Sequence, residues 1–171
     1  MPRRPRVLKR PAIAPDQNFN SILVSKLINR VMWNGKKTVA TRIVVTALEK
    51  AAEELQTTPL EVLDVALKNV CPQIEVRGVR VGGANYQVPV EVQDPRKTRL
   101  GMTWIVDAAR NVKGVPMADK LFRVILDSYN GQGTAVDKRN SVHRTAAGNK
   151  ALAHLASRIA GGKKKKTNRF A

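Results

Sequence analysis

Apolar positions along this chain switch between two periods, and the switch predicts helices interrupted by one β-hairpin. From Asn20, a residue able to cap, Leu23, Leu27 and Val31 recur on one helical face until Asn34-Gly35 stops the run. A second helix opens at Lys36-Lys37 and carries Val39, Ile43, Ala47, Leu48, Ala51 and Leu55 at helical spacing. Thr58-Pro59-Leu60-Glu61 then sets out a cap, a proline at the first helical position and the glutamate of a capping box. The third helix buries Leu63, Leu67 and Val70 before Pro72 ends it.

Between residues 74 and 92 the period becomes two. Gly82-Gly83 can take the positive φ angles of a tight two-residue turn, and Tyr86, Val88, Val90 and Val92 share one face of the second arm. On the first arm the apolar parity passes from Ile74 and Val76 to Val79 and Val81 across Gly78, which predicts a bulge between Arg77 and Arg80. Pro89 cannot donate to a ladder and suggests an edge. A two-stranded ribbon is marginal alone, so the body must hold it.

Helical spacing returns at Asp94-Pro95, with Leu100, Trp104 and Ala108 as the buried stripe. Arg96, Lys97 and Arg99 crowd the first turn of that helix. Cations there oppose the macrodipole by roughly 0.3–1 kcal/mol each, which makes the cluster a candidate binding feature. A fifth helix follows Gly114-Val115-Pro116, with Met117, Leu121, Val124 and Ile125 inward, and ends at Asn130-Gly131. Thr134 and Asp137 have capping-box spacing for a sixth, which carries Lys138, Arg139, Arg144, Lys150 and Arg158 to Gly161-Gly162. The fold class is mainly α: a six-helix, bundle-like body with one protruding β-hairpin and basic, extended termini. Residues 20–160 form a single domain between a basic arm, 1–19, and a Lys-rich tail, 161–171.

Charge adds a partner to this scaffold. The 171 residues carry a formal net charge of +18, far enough from zero to predict a polyanion. Residues 1–15 hold Arg3, Arg4, Arg6, Lys9 and Arg10 with no acid, and residues 138–171 hold ten basic residues with no acid. Nearly all the excess therefore lies at the two ends, and the middle reads as an ordinary globular body. Basic runs also mark membrane-surface or nuclear-targeting segments, so they do not name RNA by themselves. No apolar run approaches the roughly 20 residues of a membrane span, and no hydrophobic signal core follows the N-terminus. The single Cys71 reads as a core residue in a reducing compartment.

An enzyme needs a nucleophile with its base, a ligand cluster or a phosphate cradle, and no such set appears; no cofactor is implied. His143 and His154 stand eleven apart on the sixth helix, about 16 Å along a straight axis, too far for one metal. Gly131-Gln132-Gly133 lacks a preceding strand and reads as an interhelical turn. Lys36-Lys37 is either a solvated helix start or an RNA contact. Trp33 and Trp104 could stack on bases, but helical positions favour the core, whereas Tyr86 on the hairpin is the more open case. A basic DNA-binding protein is the rival reading.

Glu75-Val76-Arg77 and Arg80-Val81-Gly82-Gly83-Ala84-Asn85-Tyr86-Gln87-Val88-Pro89-Val90-Glu91-Val92 closely resemble the hairpin of bacterial small-subunit ribosomal protein seven. Asn34-Gly35-Lys36-Lys37, Pro59-Leu60-Glu61-Val62, Trp104-Ile105-Val106-Asp107-Ala108-Ala109, Ala135-Val136-Asp137-Lys138-Arg139 and His143-Arg144 extend the resemblance over about residues 20–155, in the family's order and spacing. The resemblance implies a protein that binds the 3′ major domain of small-subunit rRNA directly and nucleates assembly of the subunit head. Its hairpin, with Arg77, Arg80, Gly82, Gly83 and Tyr86, would lie near the exit-site tRNA and the mRNA exit path. Lys36, Lys37, Arg96, Lys97, Arg99, Lys138, Arg139 and Arg144 become rRNA-contact candidates beside the basic arm. Implied neighbours include ribosomal proteins nine and eleven. The setting is a cytoplasmic ribosome, with an organellar one left open. The C-terminus departs from the family pattern at Asn140-Ser141, at Gly148 and in Lys163 to Lys166, a tail expected to add rRNA charge neutralisation.

Overall fold

In the computed structural model, which describes residues 12–156, the helices are α1 (Ile22–Val31), α2 (Lys37–Leu55), α3 (Pro59–Val70), α4 (Asp94–Asn111), α5 (Met117–Tyr129) and α6 (Thr134–Gly148). Strands β1 (Ile74–Val81) and β2 (Ala84–Glu91) separate α3 from α4, and a 3-10 helix, Lys150–Leu155, follows α6. The mainly α class with one hairpin is therefore what the chain adopts. Helix α5 lies inside the body against α2, α3 and α4, and its Leu121 and Ile125 are fully buried beside Leu27, Leu48, Leu63 and Ile105. Thr58 shows how local sequence fixes one boundary. Its hydroxyl accepts from the Glu61 N–H at 3.3 Å, while the Glu61 carboxylate accepts from the Thr58 N–H at 3.4 Å.

Two helix faces are turned from those expected because small residues make the seam, and a third, that of α1, is widened by Val24 and Ile28. In α2 the buried positions are Ala40, Val44, Ala47, Leu48 and Ala51, while Val39 is 53% exposed. In α4 they are Gly101, Met102, Ile105, Val106, Ala108 and Ala109, with Leu100 and Trp104 only half-buried. Gly101 marks the crossing with α3: a Cβ there would stand 2.7 Å from the Cys71 sulfur. Cys71 is half-buried, and burial pushes its thiol pKa up, as expected of a packed rather than reactive sulfur. In α1 the stripe is Val24, Leu27, Ile28 and Val31, flanked by Leu23.

Two expected caps do not form. Asn20 takes φ 48°, outside the extended conformation of a capping residue, and α1 begins after Ser21 without a side-chain cap. Gly133 precedes α6 at φ 89°, which makes Thr134 the first helical residue and leaves it no capping box with Asp137. Helix α6 also stops at Gly148 and yields to the 3-10 turn, so His143 and His154 do not share one straight helix. Arg158, Gly161-Gly162 and Lys163 to Lys166 lie outside the described residues.

The hairpin pairs one-for-one from Ile74 opposite Glu91 to Val81 opposite Ala84, with Gly78 opposite Gln87. No bulge interrupts it. Gly82 and Gly83 turn the chain at φ 56° and 91°, the pair of positive angles that a two-residue connection requires. Paired residues share a face, so Val79, Val81, Tyr86, Val88 and Val90 stand on the same side as Glu75 and Arg77. The shift in apolar parity thus records an ion pair among apolar neighbours. Arg80 stands on the opposite face. The root is closed where the Val92 N–H donates to the Gln73 carbonyl at 3.0 Å. Helix α6 packs on β1 and the 3-10 turn on β2, which supplements the anchoring provided by α3 and α4.

Candidate nucleic-acid interface

The hairpin root is an ionic clamp. Glu75 is only 7% exposed and receives the Arg96 Nε at 2.6 Å, and its other oxygen receives the Arg77 Nε. A carboxylate taken this far from water needs such donors, and two guanidinium groups supply them. Sequence reasoning passed over Glu75 because a single acid among valines has no periodicity; its signal was its parity with Arg77. Lys97 is similarly engaged by Asp94 at 3.0 Å. Asp94 is itself the acid in the first turn of α4, where it favours the dipole. Of the three cations expected to oppose that dipole, Arg99 alone lacks a carboxylate partner among the described residues.

Arg77 and Arg80 consequently play different parts. Arg77 is half-buried against Glu75, whereas Arg80 is exposed near the tip, opposite Asn85. Tyr86, 39% exposed, and the exposed Gly82 and Gly83 share that distal end with Arg80. At the root His143 accepts a hydrogen bond from the Gln73 N–H through Nε2, at 3.2 Å. Burial, and then the nearby Arg139 charge, lower its pKa from the usual histidine value. The neutral ring is the form that can accept, so geometry and titration agree.

A second basic feature lies along α1 and α4. Ile13, Lys26, Asn29, Arg30, Pro95, Thr98, Arg99 and Met102 line an open groove of about 480 Å³. Three cations and no acid face it. Arg30 donates to the Thr103 hydroxyl at 2.5 Å, which holds its guanidinium at the α4 side. Lys26 and Arg30 lie off the apolar stripe that marks α1 in the sequence; their i, i+4 spacing on the other face was the available signal. Pro95 belongs to the groove and the next residue, Arg96, to the clamp, so both features are built on the first turn of α4. Ser25 donates to the Ala14 carbonyl at 2.8 Å and ties the N-terminal segment beside α1. Arg3, Arg4, Arg6, Lys9 and Arg10 lie outside the described residues.

Other candidates are distributed around the body. Lys36 and Lys37 are exposed at the α1–α2 turn, and Lys138 and Arg144 are exposed on α6. Arg139 is half-buried and donates to the Asn69 carbonyl, while Asn69 donates to the Ser128 and Tyr129 carbonyls at 3.0 and 2.9 Å. Its guanidinium thus ties α6 to α3. Trp104 packs half-buried against the core, but Trp33 does not: it follows the end of α1 and is 68% exposed. Among the described residues no three His, Cys, Asp or Glu side chains gather as a metal site, and no helix is long and apolar enough to cross a membrane.

The sequence model of the family described as "Ribosomal protein S7p/S5e" matches residues 2–150. The chain is 54% identical over 143 residues to "Small ribosomal subunit protein uS7" of Thermosipho melanesiensis, covering 84% of this chain and 92% of that one. It is 53% identical over 152 residues to the protein of that name from Thermotoga maritima, covering 89% and 97%. The corresponding Chloroflexus aurantiacus protein is 49% identical over 154 residues, covering 90% and 98%. A match across nearly all of the described body, hairpin and α1–α4 groove included, places this chain in the ribosomal protein S7p/S5e family.

Proposed function

We propose that this protein binds the 3′ major domain of small-subunit rRNA directly and nucleates assembly of the subunit head, with its hairpin tip toward exit-site tRNA and the mRNA exit path. Family membership makes the chain a structural, non-enzymatic, RNA-binding component of the small ribosomal subunit, working in translation on the cytoplasmic ribosome. The observation that carries the finer reading is the acid-free groove of Lys26, Arg30 and Arg99, which shares the first turn of α4 with a clamped hairpin root. Phosphates meet the groove, the basic arm and the exposed Lys36, Lys37, Lys138 and Arg144. Arg77, Arg96 and Arg139 act through the fold by fixing the hairpin and α6. Arg80, Gly82, Gly83 and Tyr86 form the reaching end, and ribosomal proteins nine and eleven are its protein neighbours.

Competition binding tests this reading. The full chain should prefer a transcribed 3′ major domain fragment over duplex DNA of equal length. With six to ten phosphate contacts, its affinity should fall by roughly 10³- to 10⁵-fold between 50 and 200 mM salt, by analogy with DNA binders. A preference for the duplex would overturn it.

A further inference from the structure

The exposed tryptophan has a setting that rRNA phosphate contacts alone leave unexplained. Trp33 sits in a tight turn between α1 and α2, where the Lys36 N–H donates to its carbonyl at 3.0 Å, and Asn34 and Gly35 take φ 50° and 73°. The Arg110 guanidinium lies 5.2 Å from the ring centroid. That guanidinium is itself steadied by the last carbonyls of α1, donating to Arg30 at 3.3 Å and to Val31 at 3.5 Å. The indole is therefore oriented on one face by a fixed cation while the residue stays 68% exposed. Beside it opens a cavity of about 300 Å³, with Val39, Ile43 and Met117 on its apolar wall and Lys36 and Arg110 on its rim. No acid lines it.

We infer that this crevice receives one unpaired RNA nucleobase, stacked on Trp33, with the adjoining phosphate met by Lys36 and Arg110. The chemistry selects that occupant. An aromatic platform and apolar wall suit a base, and two cations on a rim that itself holds no acid suit the phosphate attached to it. An apolar side chain from a neighbouring protein would use the wall and leave Lys36 without a carboxylate among the described residues, and Arg110 with only Asp107, 4.0 Å away on its own helix. A paired helix would offer phosphates but no free base for the ring. Orientation of the indole before binding lowers the ordering cost of the contact. The inference rests on the RNA-binding reading above and adds a residue that reads a base where the groove reads phosphate.

Affinity of the full chain for the 3′ major domain fragment provides the test, with Trp33→Ala, Trp33→Leu and Trp33→Phe compared at one salt concentration. Stacking predicts a loss of roughly 5- to 150-fold for Trp33→Ala, the range seen for one stacked base. Trp33→Phe should recover most of it, and Trp33→Leu, apolar but not aromatic, should not. Fluorescence in a Trp104→Phe background should show quenching of Trp33 by the fragment and none by a fully paired RNA duplex. Quenching by a single-stranded message oligonucleotide, and not by the fragment, would still identify a base and assign it to mRNA. Full rescue by Trp33→Leu would overturn the inference in favour of simple apolar docking. Equal affinity of all three variants to the wild type would overturn it while leaving the rRNA reading standing. Failure of the wild type to bind either RNA would overturn both.

Discussion

At Ile125 the chain is closed by packing, and at Glu75 by charge. Ile125 is fully buried on α5 among side chains from the helices around it, with no polar group to satisfy. Glu75, nearly as buried, depends on two arginines that are themselves half in water. The first arrangement holds no charge for salt to screen, whereas the second does. Such a division suits a protein that must keep a rigid body while presenting a slender arm. The arm's angle is fixed by contacts with direction, and the body's stability by contacts without it.

The largest expected effect breaks the packed side. Leu121→Ala should cost about 2–5 kcal/mol of unfolding free energy, because a fully buried leucine leaves a cavity in the centre of the body. Urea denaturation followed by circular dichroism would show it, and the hairpin should be lost in the same transition. A smaller effect should follow on the ionic side. Glu75→Gln leaves Arg77 and Arg96 without their shared carboxylate at a cost of roughly 1–3 kcal/mol, held below that of a fully buried pair because both guanidinium groups reach solvent. Its signature is local: amide exchange should accelerate along β1 and β2 far more than in α5.

These two sites also show what could be read from the residues. Thr58, Pro59 and Glu61 announced α3 because capping is a short-range matter, settled within four residues. The glycine turn was equally local. Faces of α2 and α4 were displaced because large apolar side chains were weighted over Ala40, Gly101 and Ala109, and close helix crossings are made by small residues. The Gly78 bulge was inferred from parity on the assumption that only apolar groups turn inward. Glu75 with Arg77 shows that a compensated ion pair can occupy such a face, a pairing visible only once β1 and the start of α4 are brought together. The α1–α4 groove was hidden for the same reason: Lys26 and Arg99 are neighbours in space alone.

Thr58→Ala should lower thermal stability by about 1 kcal/mol, with no change in RNA affinity, because the cap contributes no residue to the groove or to the clamp. The smallest effect concerns pH. His143 has a depressed pKa in the folded chain, so the unfolded chain binds more protons below its ordinary value of 6.5. Its contribution is complete above that value and is lost as pH falls through the window down to the depressed pKa. Protonation also turns its Nε2 from acceptor to donor against the Gln73 N–H. Melting curves taken between pH 7.5 and 5 should therefore show a loss on acidification that is reduced in His143→Leu.

The division between anchoring body and reaching arm is tested most directly by a salt series on two variants of the full chain bound to the 3′ major domain fragment. One variant combines Lys26→Ala, Arg30→Ala and Arg99→Ala; the other is Arg80→Ala. The groove variant should bind more weakly at every salt concentration, with the slope of log affinity against log salt smaller by about two to three, close to one per lost phosphate contact. Arg80→Ala should leave affinity and slope near those of the wild type. Unchanged binding by the groove variant, with a steep loss in Arg80→Ala, would contradict the account and make the hairpin the anchor.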